Sequence, residues 1–302
     1  MKLIFIVGAT ATGKSELAIA LAQQLNGEIV NADSMQLYKG MDIGTAKLPV
    51  EQRGGIPHHL IDILEITEES SVANYQALAR SKIDELILAN KTAIVVGGTG
   101  LYIKSILDDL NFPDTDLEIR SRLQTESEAF GSKALHDRLE KLDPAAAAAI
   151  PMQNLRRVIR ALEVIELTGK PFTANLPKEG SSRYPEALQF GLVMDRERLN
   201  ENISKRVDSM FSAGLVSEVE SLVRTGLRNG KTARAALGYA QIIRYFDGVL
   251  SEFEAREETK RATRQYARRQ ETWFSRDSRI RWLKGSLAEK LERITSTTIT
   301  TR

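Results

Sequence analysis

The sequence contains no cysteine. That excludes disulfides, thiolate zinc sites and thiol catalysis. Histidine is almost as scarce, with only His58, His59 and His136, which leaves little room for a histidine-built metal centre. No window of about 18 apolar residues exists, so no membrane span is expected. Repeats and low-complexity tracts are absent too; the alanine run at 145–149 is simply a strong helix former. Neither charge sign is in large excess, 42 Lys and Arg standing against 40 Asp and Glu. What remains is a chain of 302 residues, 42% hydrophobic and 27% charged. Such a chain is neither disordered nor fibrous and can bury a sizeable core. Its N-terminal apolar run follows a basic residue, as in a signal peptide. The run is short and leads into a glycine-rich loop, so it reads as a first strand, and the cytoplasm is the expected compartment.

The near-neutral total hides an uneven distribution. Between Arg256 and Lys284 there are ten Lys or Arg against four Asp or Glu. A basic segment of this kind suits a polyanionic partner. It equally suits a solvated helix with internal pairs such as Glu257 with Arg261, and composition leaves both readings open.

Apolar runs at 3–7, 29–31, 93–96, 188–194 and 280–283 predict buried parallel strands. Helical patterns at 15–25 and 73–89 alternate with them. This is the rhythm of an α/β fold, an open parallel sheet with helices on both faces. The rhythm breaks over 113–185, where helical stretches at 117–130, 133–141, 144–150 and 154–168 predict a mainly helical insertion. The core would then comprise 1–112 and 186–302. Further helices are expected at 199–225, 233–247 and 254–275, with a frayed tail over 295–302.

Gly8-Ala9-Thr10-Ala11-Thr12-Gly13-Lys14-Ser15 fits the phosphate-loop pattern G-x-x-x-x-G-K-[ST], and it sits where that pattern needs to be, after a strand and opening a helix. Glycines let backbone N–H groups curl around phosphate oxygens, and the helix N-terminus adds partial positive charge. Lys14 brings a full charge, and the Ser15 hydroxyl can ligate Mg²⁺. The core is therefore P-loop NTPase-like. The pattern establishes phosphate binding, not ATP. The strand at 93–96 runs into Gly97-Gly98-Thr99-Gly100 rather than the Asp that nucleotide hydrolases need, and no guanine-reading motif is present. A phosphorylated substrate held for group transfer fits better. Strand two ends in Asn31-Ala32-Asp33-Ser34-Met35-Gln36, at the carboxyl edge where ligands bind in such sheets. Asp33 could serve there as a base or Mg²⁺ partner, or as a helix cap.

Residues 33–47, DSMQLYKGMDIGTAK, resemble the signature of tRNA dimethylallyltransferases. Four further blocks agree in order: PHHLID at 57–62, GGTGLY at 97–102, RVIRALE at 157–163 and RRQETWF at 268–274. The resemblance implies transfer of the five-carbon group of dimethylallyl diphosphate to N6 of adenosine 37 in tRNAs reading codons that begin with U. It implies Thr99 at the reacting end and Arg206 on the diphosphate, beside Lys14 and Asp33. It sets the anticodon stem-loop of tRNA against Asp33, Ser34, Met35, Gln36, Thr99, Arg120, Arg156, Arg157, Val158, Ile159 and Arg160, and against Arg268, Arg269 and Gln270 of the basic segment. Some relatives append a Cys/His zinc finger, which the absence of cysteine excludes here, so the compact bacterial type is expected, with Mg²⁺ as cofactor, no membrane partner and a monomeric state. Ala9 and Ser15 replace the residues usual at their positions without disturbing the chemistry. Ala240 stands where a basic residue is usual, which puts a phosphate contact there in doubt.

Other readings stay open. Arg157 and Arg160 share a helical face and could be plain surface charges. His58 and His59 read as packing residues and Trp273 as core. A transferase acting on free adenylate would need neither the insertion nor the basic helix, and a small-molecule kinase would have no use for the 33–47 block.

Overall fold

Strands form where apolar runs can be covered on both faces. The computed structural model describes residues 2–175 and 181–300. It contains β1 (Leu3–Gly8), β2 (Gly27–Asn31), β3 (His58–His59), β4 (Thr92–Gly97), β5 (Leu188–Leu192) and β6 (Ile280–Leu283). They form one parallel sheet in the order β3-β2-β4-β1-β5-β6. The central strand β1 pairs Ile4 with Ile94 on one side and Leu188 on the other. Every residue of β1, β2, β4 and β5 is buried, as parallel strands require. On one face, Ile4, Ile6, Ile94 and Phe190 pack with Leu17 and Leu21 of α1 (Lys14–Gln24) and with Ile294 of a C-terminal helix.

The chain divides into two compact units, Met1–Ile106 with Tyr184–Arg302, and Leu107–Arg183. The first holds the sheet, α1, α2 (Val72–Leu88) and most of α3 (Gly100–Leu107). The second is helical: α4 (Leu117–Leu142), α5 (Pro144–Ala149) and α6 (Leu155–Thr168). Its core is built from Leu123, Leu135, Leu139, Ile150, Val158 and Leu162. Glu163 lies within it with no exposed surface. Its carboxylate accepts from Arg120 Nη2 at 2.9 Å, Arg160 Nη1 at 3.0 Å and the Asp116 amide at 2.9 Å. Asp143 caps α5, accepting from the Ala146 amide at 3.0 Å and the Thr173 amide and hydroxyl at 2.9 Å.

Back in the first unit, the chain continues as α7 (Arg196–Ser212), α8 (Leu215–Arg224), α9 (Tyr239–Phe246), α10 (Glu252–Phe274) and α11 (Leu287–Thr300). Several expectations need correction. The helix expected over 199–225 breaks at Gly214, φ 99°. The two expected over 117–130 and 133–141 are both present within α4, separated by the non-helical Gly131, φ 80° and ψ 163°. Residues 233–238 are a short 3₁₀ turn and linker, so α9 starts only at Tyr239. The tail expected to fray is helical through Thr300, because Ile294 buries itself beneath the sheet. Trp273 is 43% exposed rather than core. On α10 the ion pairs run Glu257 to Lys260 and Glu258 to Arg261, not Glu257 to Arg261. Residues 176–180 of the expected insertion and 301–302 of the expected tail lie outside the described residues.

Candidate active site

The loop after β1 turns within a few residues because its backbone enters the left-handed region twice. Ala11 sits at φ 62° and Gly13 at φ 88°. A side chain is costly in that region, and Gly13, the residue before α1, carries none, leaving the first amides of the helix open. Thr12 Oγ1 braces the loop by donating to the Ala9 carbonyl at 2.8 Å. Lys14 Nζ donates to the same carbonyl at 2.6 Å. Burial, with the Arg206 guanidinium as second cause, brings the Lys14 amine down to about 7, while the Asp33 carboxylate pulls the other way. Burial lowers Arg206 as well, again opposed by Asp33.

Asp33 follows the end of β2, where Asn31 grips its backbone from both sides. Asn31 Oδ1 accepts from the Asp33 amide at 3.0 Å, and Nδ2 donates to the Asp33 carbonyl at 3.0 Å and the Leu60 carbonyl at 2.9 Å. One Asp33 oxygen, Oδ1, accepts from the Met35 amide at 2.9 Å. No helix begins here, so the expected helix cap is absent; the bond closes a local turn and occupies one oxygen. Thr99, at the end of β4, binds the same segment: its hydroxyl accepts from the Ser34 amide at 3.2 Å and its amide donates to Ala32 at 3.2 Å.

Two cavities meet here. The first, about 320 Å³, is lined by Thr10 to Glu16, Asp33, Gln36, Thr45 and Arg206 among others. The second, about 310 Å³, has a more apolar wall including Met35, Ile203, Val207, Met210 and Leu237. Thr10, Asp33, Thr45 and Arg206 border both. One chamber thus offers amides and cations to an anion, the other offers apolar surface, and a carboxylate stands between them.

The segment bearing Thr45 is fixed from a distance. Glu218 of α8 accepts from the amides of Asp42, Ile43 and Gly44 at 3.2, 2.7 and 3.2 Å, and from the Tyr239 hydroxyl at 2.6 Å. Buried Lys47 Nζ donates to Asp42 and Asp62, both at 2.5 Å. Sequence reasoning missed both Glu218 and Asn31. Only Asn31, a buried polar residue ending an apolar strand, left a local signal.

The residues expected from sequence separate into groups. Lys14, Ser15, Asp33, Gln36 and Arg206 converge on the first cavity, and Ser34, Met35 and Arg269 on the second. Thr99 stands behind Ser34 rather than in either lining. Thr10 lines both cavities, but its amide donates to Gln270 instead of facing a ligand. Gln270 itself is buried, which corrects its expected place on an RNA-facing surface. Val158 and Ile159 are also buried, in the helical core, so their side chains cannot meet tRNA. Arg120 and Arg160 hold Glu163, while Arg156, Arg157 and Arg268 are exposed. His58 and His59 do pack and hydrogen-bond as expected, His58 Nδ1 lying 2.8 Å from the Ile56 carbonyl and His59 Nε2 2.6 Å from Glu28.

A family model described as IPP transferase matches residues 36–277. A tRNA dimethylallyltransferase of Streptomyces avermitilis is 54% identical over 291 residues, covering 96% of this chain and 93% of its own. One from Thermobifida fusca is 56% identical over 285 residues, covering 93% and 89%. Among solved structures, a tRNA isopentenylpyrophosphate transferase of Bacillus halodurans superposes with a TM-score of 0.74 at 40% identity, covering 99% of this chain and 96% of that one. A eukaryotic dimethylallyltransferase captured acting on tRNA gives a TM-score of 0.78 at 30% identity, covering 90% and 69%.

Proposed function

This chain belongs to the IPP transferase family, and from that membership we propose how its site carries out tRNA prenylation. The enzyme is a transferase that modifies tRNA. We take its donor to be dimethylallyl diphosphate and its acceptor to be N6 of adenosine 37 in tRNAs reading codons that begin with U. The observation that carries this reading is the position of Asp33 and Arg206 on the border between a phosphate-type cavity and an apolar one.

The diphosphate occupies the loop, with Lys14 and Arg206 against its oxygens. The adenine amine attacks C1 of the dimethylallyl group, the C–O bond to diphosphate breaks, and the proton of N6 passes to Asp33. Negative charge grows on the leaving oxygens, where cations and aligned amides stabilise the transition state most. An exocyclic amine is a weak nucleophile, and a carboxylate within hydrogen-bond reach orients it and accepts its proton. The Asp33 oxygen not engaged by the Met35 amide suits that role. A base stacked in the anticodon loop has to be extruded to reach the cavity.

Mg²⁺ fits these residues. Ser15, whose hydroxyl would hold the ion, lines the first cavity beside the phosphate loop, and no cluster of three or more His, Cys, Asp or Glu forms a cage among the described residues. Mg²⁺ commonly takes one or two protein ligands and completes its shell with phosphate oxygens and water. When bound, the ion supplies further positive charge to the leaving diphosphate. We take the working unit to be a monomer. No helix among the described residues is long and apolar enough to cross a membrane, and we assign the reaction to the cytoplasm, where its tRNA substrate is.

The test is nucleoside mass spectrometry of unmodified tRNA incubated with enzyme, Mg²⁺ and dimethylallyl diphosphate. Dimethylallyladenosine at position 37 is expected. Product formed only from free AMP, or phosphoryl transfer from ATP, would overturn the reading.

A further inference from the structure

Gln270 sits in the block whose resemblance implies tRNA contact, yet its side chain faces inward from α10 and is 5% exposed. It lines the wall of the first cavity, and each end of its amide is held. Oε1 accepts from the Thr10 amide of the phosphate loop at 2.9 Å, and Nε2 donates to the Gly98 carbonyl at 2.9 Å. One planar group therefore bridges the loop after β1 to the loop after β4. The fit is close: a Cβ placed on Gly98 would lie 2.1 Å from Gln270 Nε2. One turn earlier on the same helix face, burial pushes the Tyr266 phenol up to about 12.

We infer that Gln270 is a positioning residue for diphosphate capture, acting through the Thr10 amide and the Gly98 carbonyl rather than through tRNA. A phosphate loop binds by aiming several backbone N–H groups at one anion. Isolated loops of this kind are mobile, and any freedom has to be lost on binding. Gln270 holds one amide out of the anion's reach and thereby orients the remainder, Thr12 to Ser15, toward the cavity. An acidic side chain there would put negative charge beside the diphosphate, whereas a neutral amide satisfies both loops without charge.

The inference rests on diphosphate occupying the loop, so wild-type protein is titrated first with inorganic diphosphate and Mg²⁺ by calorimetry. Absence of binding there would refute that premise, whatever Gln270 does. Gln270→Met then removes both hydrogen bonds at similar volume. The Kd for inorganic diphosphate and the KM for dimethylallyl diphosphate are expected to rise roughly tenfold, the scale of losing one or two buried hydrogen bonds. The Kd for tRNA is expected to stay within about twofold. Weaker tRNA binding with unchanged diphosphate affinity would overturn the inference and restore Gln270 as an RNA contact; no change in either would also overturn it. Should the variant fold poorly, amide hydrogen exchange on the wild-type protein decides the matter. The Thr10 amide should be protected before diphosphate is added and remain so afterwards, whereas the Gly13 and Lys14 amides gain protection only on addition. Free exchange at Thr10 until diphosphate binds would overturn the inference.

Discussion

At the scale of single residues, the site sets two charges against each other and leaves one carboxylate oxygen for chemistry. Lys14 is the more quantitative case. Its amine is lowered from 10.5 to about 7, so the ligand-free enzyme loses this charge as pH rises through 7. Bound diphosphate favours the charged form and raises the value again. Binding between pH 7 and 9 must therefore take up a proton, and affinity should fall with rising pH by up to about tenfold per unit. Calorimetry at pH 8 in two buffers of different ionisation enthalpy should show uptake approaching about one proton. Lys14→Met should remove the Lys14 share, and an unchanged uptake in that variant would refute the assignment. For Asp33, asparagine is the informative replacement. Asp33→Asn retains an oxygen for the Met35 amide, and with it the turn, but cannot accept a proton. Turnover should drop by about 10²–10⁴-fold with tRNA affinity little changed. Near-normal kcat would leave Asp33 with the local turn alone.

At the scale of elements, legibility followed locality. β1, β2, β4 and β5 could be read because strands inside a parallel sheet are rich in apolar residues, edge strand β6 because Ile280, Trp282 and Leu283 still make an apolar run, and the phosphate loop because its whole geometry is written in eight consecutive residues. β3 has two residues, too few for any period. α3 starts at Gly100 directly behind a glycine-rich turn. The end of α11 is rich in β-branched threonine, which reads as non-helical until the burial of Ile294 is known. In the site, Lys14 and Asp33 announced themselves, while Gln270 and Glu218 act on partners up to 260 and 176 positions away, a pairing no local pattern carries. The helical unit offers the matching lesson in Glu163. Burial would raise its carboxyl, but the hydrogen bonds from Arg120 and Arg160 prevail and hold it below its ordinary value. A lowered carboxylate contributes stability above its unfolded value, and that contribution is lost as pH falls through the folded one. Glu163→Gln should therefore destabilise the unit at pH 7 by about 1–2 kcal/mol, less than for a fully buried pair because both arginines keep contact with water. The deficit should shrink below about pH 4. Thermal unfolding of the full chain at both pH values checks this, and a deficit independent of pH would mean that packing, not charge, matters there.

At the scale of the whole molecule, a net charge of +2 gives little general attraction for RNA, so the grip on tRNA has to come from particular faces. Arg120 and Arg160 are poor probes of it, because changing either exposes the charge of Glu163 and disturbs the helical core. Arg156 and Arg157 are exposed on α6 and not engaged with Glu163. Arg268, exposed on α10, borders a hollow with Arg196 and Trp282 behind the phosphate loop. If these guanidiniums neutralise RNA phosphates, replacing them by glutamine lowers the number of counterions released on binding. The slope of log Kd against log salt should then shrink by about 0.7 for each phosphate of single-stranded RNA left without its arginine. Arg156→Gln with Arg157→Gln should raise the Kd for tRNA while leaving the affinity for inorganic diphosphate within about twofold, since neither residue lines the diphosphate cavity. Arg268→Gln should shrink the slope in its own right. An altered slope in only one variant would confine the RNA footprint to that unit. An unchanged slope and unchanged Kd in both would remove these arginines from the RNA-binding surface altogether, and the search for phosphate-binding groups would move to Arg269 beside the apolar cavity, where its guanidinium lies 5.6 Å from the Tyr266 ring.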